Sequence, residues 1–156
     1  METSFFCKIS NISQLNNYHS DNVRWLDPVA DYELIKKYFS HFNVYNTTDT
    51  YFGISLDNMK NDWSDNKARI GKLCAYIRDN EILSFAGVEY TSPDSWEIRA
   101  VSSRPDSLNN GYSKCVCSFI AKYILEQGKQ AFCETNISNF AMQSVTGEIG
   151  MVQYDP

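Results

Sequence analysis

The sequence has little of what a metal site or a disulfide framework requires. Its five cysteines are an odd number without a C-x-x-C pair, and its two histidines, His19 and His41, are far apart in the chain. The cysteines are Cys7, Cys74, Cys115, Cys117 and Cys133. We therefore predict no metal ligands, and we interpret the cysteines as buried or half-buried free thiols in a reducing compartment.

Positive charge is also scarce. The net charge is −5, and no basic cluster is present, which argues against nucleic-acid and anionic-membrane partners because both are bound through Lys and Arg. No apolar run approaches the length of a membrane span. The N-terminus lacks the basic region, apolar core and cleavage site of a signal peptide. We therefore expect a cytoplasmic protein with no nucleic-acid and no membrane partner.

The length of 156 residues and the hydrophobic content of 43% suit one globular domain with a substantial core. No internal repeat or linker interrupts the chain. We expect a single domain over residues 1–156, in which residues 1–21 form a poorly defined N-terminal extension with some strand character over Ser4–Ile9.

Hydrophobic periodicity predicts the order of the main elements. Asp27-Pro28 is a helix start signal, Asp79-Asn80 is typical of a hairpin turn, and Gly128 follows the longest helix as a C′ residue. The predicted strands are 4–9, 23–26, 72–78, 82–90, 96–103, 130–134 and 151–154, and the predicted helices are 28–39, 56–63, one ending before 128, and 139–148. This order predicts an α+β fold with a single mixed, mostly antiparallel sheet flanked by helices.

The stretch from Trp96 to Gly128 combines a strand, a polar loop and the start of the longest helix. The first backbone N–H groups of a helix have no partner within the helix, and its dipole favours negative charge there. This arrangement is suited to binding an anion such as a phosphate. The alternative is that the loop only connects strand and helix.

Two motifs in this region resemble the GNAT superfamily of acyl-CoA-dependent N-acyltransferases. The family has V-x-x-x-P followed by R/Q-x-x-G-x-G/A, and this chain has V-S-S-R-P over 101–105 and L-N-N-G-Y-S over 108–113. Leu108 replaces the usual Arg or Gln, and Ser113 replaces the second small residue. A second landmark agrees, because Asn139 opens the next helix and Gly150-Met151 follows at the spacing of the family's Gly-Phe.

The resemblance implies a GNAT-like acyl-CoA N-acyltransferase fold that binds acetyl-CoA. The amides of residues 109–113 would wrap the pyrophosphate, while Val101 and Ser103 would pair through their backbones with the pantetheine arm and the Asn139 side chain would hold it from the other side. The implied cofactor-binding residues are Val101, Ser103, Leu108, Asn109, Asn110, Gly111, Tyr112, Ser113 and Asn139. The alternative is structural, with Gly111 as a turn residue and Asn139 as an N-cap.

Transfer to an amine requires a base for the amine proton. By strand alternation, Glu97, Arg99, Val101 and Ser103 share one face, so Glu97 is the best-placed carboxylate and Glu89 on the neighbouring strand the second. The alternative for both is a solvated charge on the sheet.

The expected function is therefore acetyl transfer from acetyl-CoA to a small-molecule or peptide amine. Thr146 stands where the family often has a tyrosine that protonates the departing thiol, so we expect slow turnover. The alternatives are a non-catalytic acyl-CoA-binding domain and an interaction module.

The C-terminus leads to one further expectation. Family members usually continue past the Gly-Phe strand into one more strand, whereas six residues follow Gly150 here. The sheet should therefore have an open place near Met151–Tyr154, and exposed strand edges tend to be covered. We expect either Ser4–Ile9 or the second subunit of a homodimer to cover it.

Overall fold

The computed structural model describes residues 3–44, 50–51, 54–57 and 70–156. Its strands are β1 Ser4–Ile9, β2 Val23–Trp25, β3 Thr50–Tyr51, β4 Ile54–Ser55, β5 Lys72–Arg78, β6 Glu81–Glu89, β7 Ser95–Ser103, β8 Gln130–Asn136 and β9 Val152–Gln153. Its helices are α1 Tyr32–Ser40, α2 Tyr112–Glu126 and α3 Phe140–Glu148. None of the helices in these ranges has the length and apolar content that a membrane crossing requires.

Seven of the strands form one sheet in the order β2-β5-β6-β7-β8-β1-β9, while β3 and β4 form a separate hairpin. The pairs are antiparallel except β7 with β8, which is parallel. Helix α1 packs on one face, and α2 packs on the other against β5, β6 and β7. The predicted α+β fold with a mixed, mostly antiparallel sheet flanked by helices is confirmed.

The consecutive strands β5, β6 and β7 form the predicted antiparallel meander. Asp79 and Asn80 both have positive φ, 53° and 60°, which is the geometry of a tight hairpin turn. Gly128 has φ 75° just after α2, as a C′ glycine does.

The first helix begins later than predicted. The Asp27 carboxylate accepts hydrogen bonds from Val29 N at 2.9 Å and Ala30 N at 2.7 Å, so it caps a separate turn. Asp31 then holds that turn to β2 through two bonds from Arg24 at 2.9 and 3.0 Å. The helix therefore starts at Tyr32 rather than Pro28. Of the predicted helix 56–63, the first two residues are helical and the rest lies outside the described residues.

The N-terminal segment is part of the sheet rather than a poorly defined extension. Strand β1 pairs with β8 over its whole length, and its Cys7 and Lys8 also pair with Gln153 and Val152 of β9. The expectation that residues 4–9 cover the open place beside the C-terminal strand is confirmed. Strand β9 is itself the last strand of the sheet, and the expected homodimer stays a prediction.

Strand β7 contains an irregularity at Ala100, which has φ 57°. The register with β6 shifts between Phe85 and Gly87, opposite this residue. Beyond it, Val101 packs against the apolar cluster of α2, and the Ser103 hydroxyl lies 2.8 Å from that of Ser113 in α2. The prediction that Val101 and Ser103 share a face with Glu97 and Arg99 is wrong, because alternation does not continue through a bulge.

Gly150 holds the C-terminal end of α3 against the N-terminal segment. It has φ 104°, and a Cβ there would overlap the backbone oxygen of Gln14. We expect Gly150→Ala to lower the free energy of unfolding by roughly 2–4 kcal/mol through strain and overpacking. Denaturant melts measure this.

The matched control is Gly147→Ala in the last turn of α3, where a Cβ meets nothing within 4 Å. This change should stabilise the protein by about 0.5–1 kcal/mol, because alanine favours a helix over glycine. Equal stabilities for the two variants would contradict the packing of Gly150 on Gln14.

Candidate functional site

The candidate site lies where β7 and β8 separate. The two strands pair in parallel only from Ser95–Gln130 to Glu97–Phe132. Beyond this point β7 continues to Ser103 and β8 to Asn136 without pairing to each other. A cleft of about 620 Å³ opens between them, lined by Thr3, Ser4, residues 97–101, residues 133–136, Asn139 and Met142.

The loop after β7 leads to a second cavity beside α2. Arg104 fixes the loop's start through an ion pair of 2.8 Å with Glu81 and a second pair with Asp106. Both Asn109 and Gly111 have positive φ, 65° and 78°, so the chain turns sharply before α2 begins at Tyr112. The cavity of about 360 Å³ is lined by Ser103, residues 107–114, Ala141, Ser144, Val145 and Glu148.

The start of α2 presents backbone donors to this cavity. Within the described chain, no residue accepts a hydrogen bond from the N–H groups of residues 111–114, as expected for a first helical turn. The Tyr112 ring packs at a tilt against the ring of Tyr76 in β5, with centroids 4.4 Å apart, so Tyr112 lines the cavity with its backbone. An anion placed here meets several N–H groups and the positive end of a helix dipole.

Lys114 is the positively charged residue that lines this cavity, and it forms an ion pair with a carboxylate. Its Nζ lies 2.8 Å from Glu148 Oε2 in α3. The hydrogen bond raises the pKa of Lys114 and lowers the pKa of Glu148, so both groups are charged at neutral pH. Neither residue was predicted from sequence, since only the fold brings Glu148 to the loop.

A chain of hydroxyl groups ties the loop to the sheet. Ser103 Oγ donates to Ser84 Oγ at 2.9 Å and lies 2.8 Å from Ser113 Oγ, while Ser84 Oγ donates to Ser102 O at 2.6 Å. Each residue along this path is buried or half-buried. The chain therefore fixes the first turn of α2 against β6 and β7.

Asn139 is the N-cap of α3, as the structural interpretation of this residue predicts. Its Oδ1 accepts a hydrogen bond from Met142 N at 3.1 Å, and its Nδ2 donates to Thr135 Oγ1 at 3.1 Å. Both residues that it contacts line the cleft, as Asn139 itself does. Its side chain therefore joins the two elements that form this wall.

The two carboxylates chosen as candidate bases lie together on the sheet. Glu89 and Glu97 are register partners on β6 and β7, and Glu97 is 7% exposed and lines the cleft. Arg99 Nη1 lies 3.3 Å from Glu89 Oε2 and 3.6 Å from Glu97 Oε1. Neither carboxylate is a fully solvated surface charge.

The surroundings of Glu97 change its protonation. Burial raises the pKa of Glu97 to about 7; the charge of Arg99 opposes this shift, and the carboxylates of Glu89 and Glu134 add to it. A carboxylate with a pKa near 7 accepts a proton well at neutral pH, which is what a general base requires.

Thr146 does not face the cleft as a replacement for a tyrosine would. It is 1% exposed, donates to Gln143 O at 3.1 Å, and its side chain contacts Cys7. A thiol that the sequence did not single out, Cys133, lines the cleft instead. The predicted burial of the cysteines is confirmed, with Cys115 half-buried and the other four buried.

The other predicted residues divide between the two cavities. Val101 lines the cleft with Asn139, whereas Ser103 lines the loop cavity. The remaining predicted residues of the loop cavity are Leu108, Asn109, Asn110, Gly111, Tyr112 and Ser113. The Asn110 side chain is occupied within the loop, donating to Ser107 O at 3.1 Å and Leu108 O at 3.2 Å.

Comparison with solved structures identifies the fold. An acetyltransferase of the GNAT family from Colwellia psychrerythraea superposes with a TM-score of 0.72 at 13% identity, over 98% of this chain and 53% of that one. A GCN5-related N-acetyltransferase from Kribbella flavida gives 0.63 at 10% identity, over 98% and 55%. A predicted acetyltransferase from Clostridium acetobutylicum, solved with acetyl-CoA, gives 0.59 at 14% identity, over 86% and 91%.

These likenesses establish the fold, and the chain has the fold of GNAT acetyltransferases. It spans about half to three fifths of the length of several of the structures that it matches. No family model matches the sequence, and no curated protein matches it.

The raised pKa of Glu97 predicts a pH-dependent effect of Glu97→Gln on stability. A carboxyl whose folded pKa is raised destabilises the fold above its ordinary pKa of 4.5, increasingly as pH rises through about 7. The variant should therefore be more stable than wild type at pH 8, by on the order of 2 kcal/mol, and should match it at pH 4. Denaturant melts at the two pH values measure this difference.

The matched control is Glu134→Gln, because Glu134 is an exposed carboxylate on β8. It should change stability much less at pH 8. A Glu97→Gln variant that is less stable than wild type at pH 8 would show that the ionised carboxylate stabilises the fold.

Proposed function

We propose that this chain is an N-acyltransferase of the GNAT superfamily, which transfers an acetyl group from acetyl-CoA to an amine by direct attack. The observation that carries this proposal is the separation of β7 from β8 directly beside the N-terminus of α2. An extended thioester needs a cleft with unpaired strand edges, and its pyrophosphate needs N–H donors. Both are present here, the unpaired edge along β7 and the N–H donors at the start of α2.

The proposed cofactor position follows from the two cavities. The pantetheine arm lies in the cleft, where it replaces the missing strand partner of β7 at Val101 and Ser103 and passes Asn139. The pyrophosphate lies against residues 109–113. The matching structure solved with acetyl-CoA supports this choice of cofactor.

The proposed chemistry begins with removal of a proton from the amine. Glu97 accepts this proton, either directly or through a water molecule, and the neutral nitrogen then attacks the thioester carbonyl carbon. Arg99 and Glu89 adjust the pKa of Glu97. The acceptor is a small-molecule or peptide amine in the cytoplasm.

Binding at the loop is tested by Gly111→Glu. A Cβ at Gly111 meets only Lys114 Cε, at 3.6 Å, so the side chain has space, but its carboxylate would repel the pyrophosphate. We expect acetyl-CoA and CoA to bind at least tenfold more weakly, as measured by calorimetry.

The matched control is Gly128→Glu, at the other end of α2. Gly128 has φ 75°, close to the 78° of Gly111, and open space around it. It therefore carries the same backbone strain without the charge at the loop. Equal CoA affinity in the two folded variants would refute the position of the pyrophosphate.

The base is tested by kinetics as a function of pH. Wild-type kcat/KM for the amine should rise with pH through about 7, because Glu97 must be ionised to accept a proton. Glu97→Gln should lower kcat by about 10²–10⁴-fold and remove this rise. Thr146→Ala should change kcat little.

Glu89→Gln separates the two carboxylates. It removes a neighbouring negative charge, so the rise should move to lower pH while activity persists. Full activity of Glu97→Gln at every pH, together with loss of activity in Glu89→Gln, would mean that Glu89 rather than Glu97 is the base.

A second candidate function is an acyl-CoA-binding domain without turnover. It is favoured by the burial of Thr146 at the position where a tyrosine is expected. Consumption of acetyl-CoA with a panel of amines distinguishes the two functions. Tight binding without consumption of the thioester would establish the binding domain.

A further inference from the structure

The loop cavity beside α2 is lined by one pair of opposite charges. Among the described residues that line this cavity, Lys114 and Glu148 are the charged ones. Lys114 lies in the first turn of α2, Glu148 is the last residue of α3, and the atoms Lys114 Nζ and Glu148 Oε2 are 2.8 Å apart. The pair therefore places a cation and a carboxylate beside the same loop.

The Lys114 side chain lies next to the turn at Gly111. A Cβ built at Gly111 would be 3.6 Å from Lys114 Cε, which is the atom bonded to the ammonium nitrogen. Gly111 belongs to the segment whose N–H groups are proposed to hold the pyrophosphate. Because the lysine side chain is flexible at its end, a small rotation brings the ammonium to an anion bound at these N–H groups.

An aromatic ring also holds Lys114 at the loop. Lys114 Nζ lies 5.1 Å from the centre of the Tyr18 ring, which is the distance of a cation–π interaction. The backbone N–H of Tyr18 donates to Ser118 Oγ of α2 at 3.1 Å, so Tyr18 is fixed to the same helix. The Lys114 side chain is 31% exposed, and its position is therefore set before a ligand binds.

The loop lacks the side-chain donor that its motif usually supplies. Leu108 stands at the position where the GNAT motif has Arg or Gln, and it is 58% exposed. Its apolar side chain gives an anion neither a charge nor a hydrogen bond. A lysine, in contrast, binds phosphate oxygens through charge-assisted hydrogen bonds.

We propose that Lys114 is the cation that binds the CoA pyrophosphate, and that Glu148 competes with the pyrophosphate for it. This assignment rests on the proposed acyltransferase function. In the free protein Lys114 is paired with Glu148, and on binding its ammonium turns to the phosphate oxygens. Glu148 then loses its partner and lies beside an anion, so its charge lowers the affinity for CoA.

The two residues are tested by variants with opposite expected effects. Lys114→Met keeps the length of the side chain but removes its charge, so CoA should bind about tenfold more weakly, as expected for loss of a hydrogen bond to a charged group. Glu148→Gln removes the competing charge, so CoA should bind about fivefold more tightly. Calorimetric titration with CoA measures both affinities.

The matched controls are Lys122→Met and Glu126→Gln. These two residues form an ion pair of 3.9 Å within α2 and are not among the residues that line the loop cavity. The control variants change the net charge of the protein by the same amounts as the test variants. CoA affinity should change by less than about twofold in both, because salt screens charges outside the cavity.

A purely structural ion pair would give a different pattern. If the pair only held α3 against α2, loss of either partner would disturb the loop, and Lys114→Met and Glu148→Gln would both weaken CoA binding. That result would overturn the proposal.

Dephospho-CoA identifies the phosphate that Lys114 binds, because it lacks the 3′-phosphate and keeps the pyrophosphate. Lys114→Met should weaken the binding of dephospho-CoA by the same factor as that of CoA. A loss confined to CoA would show that Lys114 binds the 3′-phosphate, which would overturn its assignment to the pyrophosphate.

The remaining outcomes separate this proposal from the proposed function. If wild type binds CoA and Lys114→Met binds it equally well, the role of Lys114 is refuted while the acyltransferase proposal stands. Equal effects of the test and control variants would refute the role as well, since net charge alone would then explain them. Absence of CoA binding to the wild-type protein would overturn both proposals.

Discussion

The candidate site depends on the short pairing between β7 and β8. Two parallel strands that separate leave backbone N–H and C=O groups without strand partners, and such groups need a partner or water. In this chain the separation begins after Glu97 and continues to the loop before α2. The same divergence places Glu97 on one wall, Cys133 on the other, and the helix N-terminus at the end.

The walls of the cleft are held by contacts outside the cleft. Strand β1 supports β8 and β9 from the N-terminus, and Gly150 allows the segment at Gln14 to approach α3 closely. The hydroxyl chain through Ser84 and Ser103 fixes α2 to the sheet. Residues distant in sequence therefore determine the width of the cleft. Because the cleft is preorganised, filling it costs less free energy than filling one that must form on binding.

Much of this fold was predictable because its signals are local. The hairpin at Asp79-Asn80, the helix N-cap at Asn139 and the left-handed Gly111 each depend on a few neighbouring residues. The placement of β1 was predictable because the strand edge near Met151–Tyr154 has to be covered. Only Ser4–Ile9 and a second subunit were candidates for covering it. The bulge at Ala100 was not predictable, because the alternation of side chains along a strand gives no sign of an extra residue. The position of Cys133 in the cleft and the pairing of Lys114 with Glu148 follow from tertiary contacts that no local pattern encodes.

The central claim is that the cleft and the loop of α2 together hold one acyl-CoA molecule. The most direct measurement is a titration of the nitrogen-15-labelled protein with CoA, observed by amide NMR. We predict saturable shifts confined to three segments, 97–103, 109–114 and 133–142, with one CoA bound per chain. Saturable shifts that exclude the 109–114 amides, or no shifts at millimolar CoA, would contradict the account.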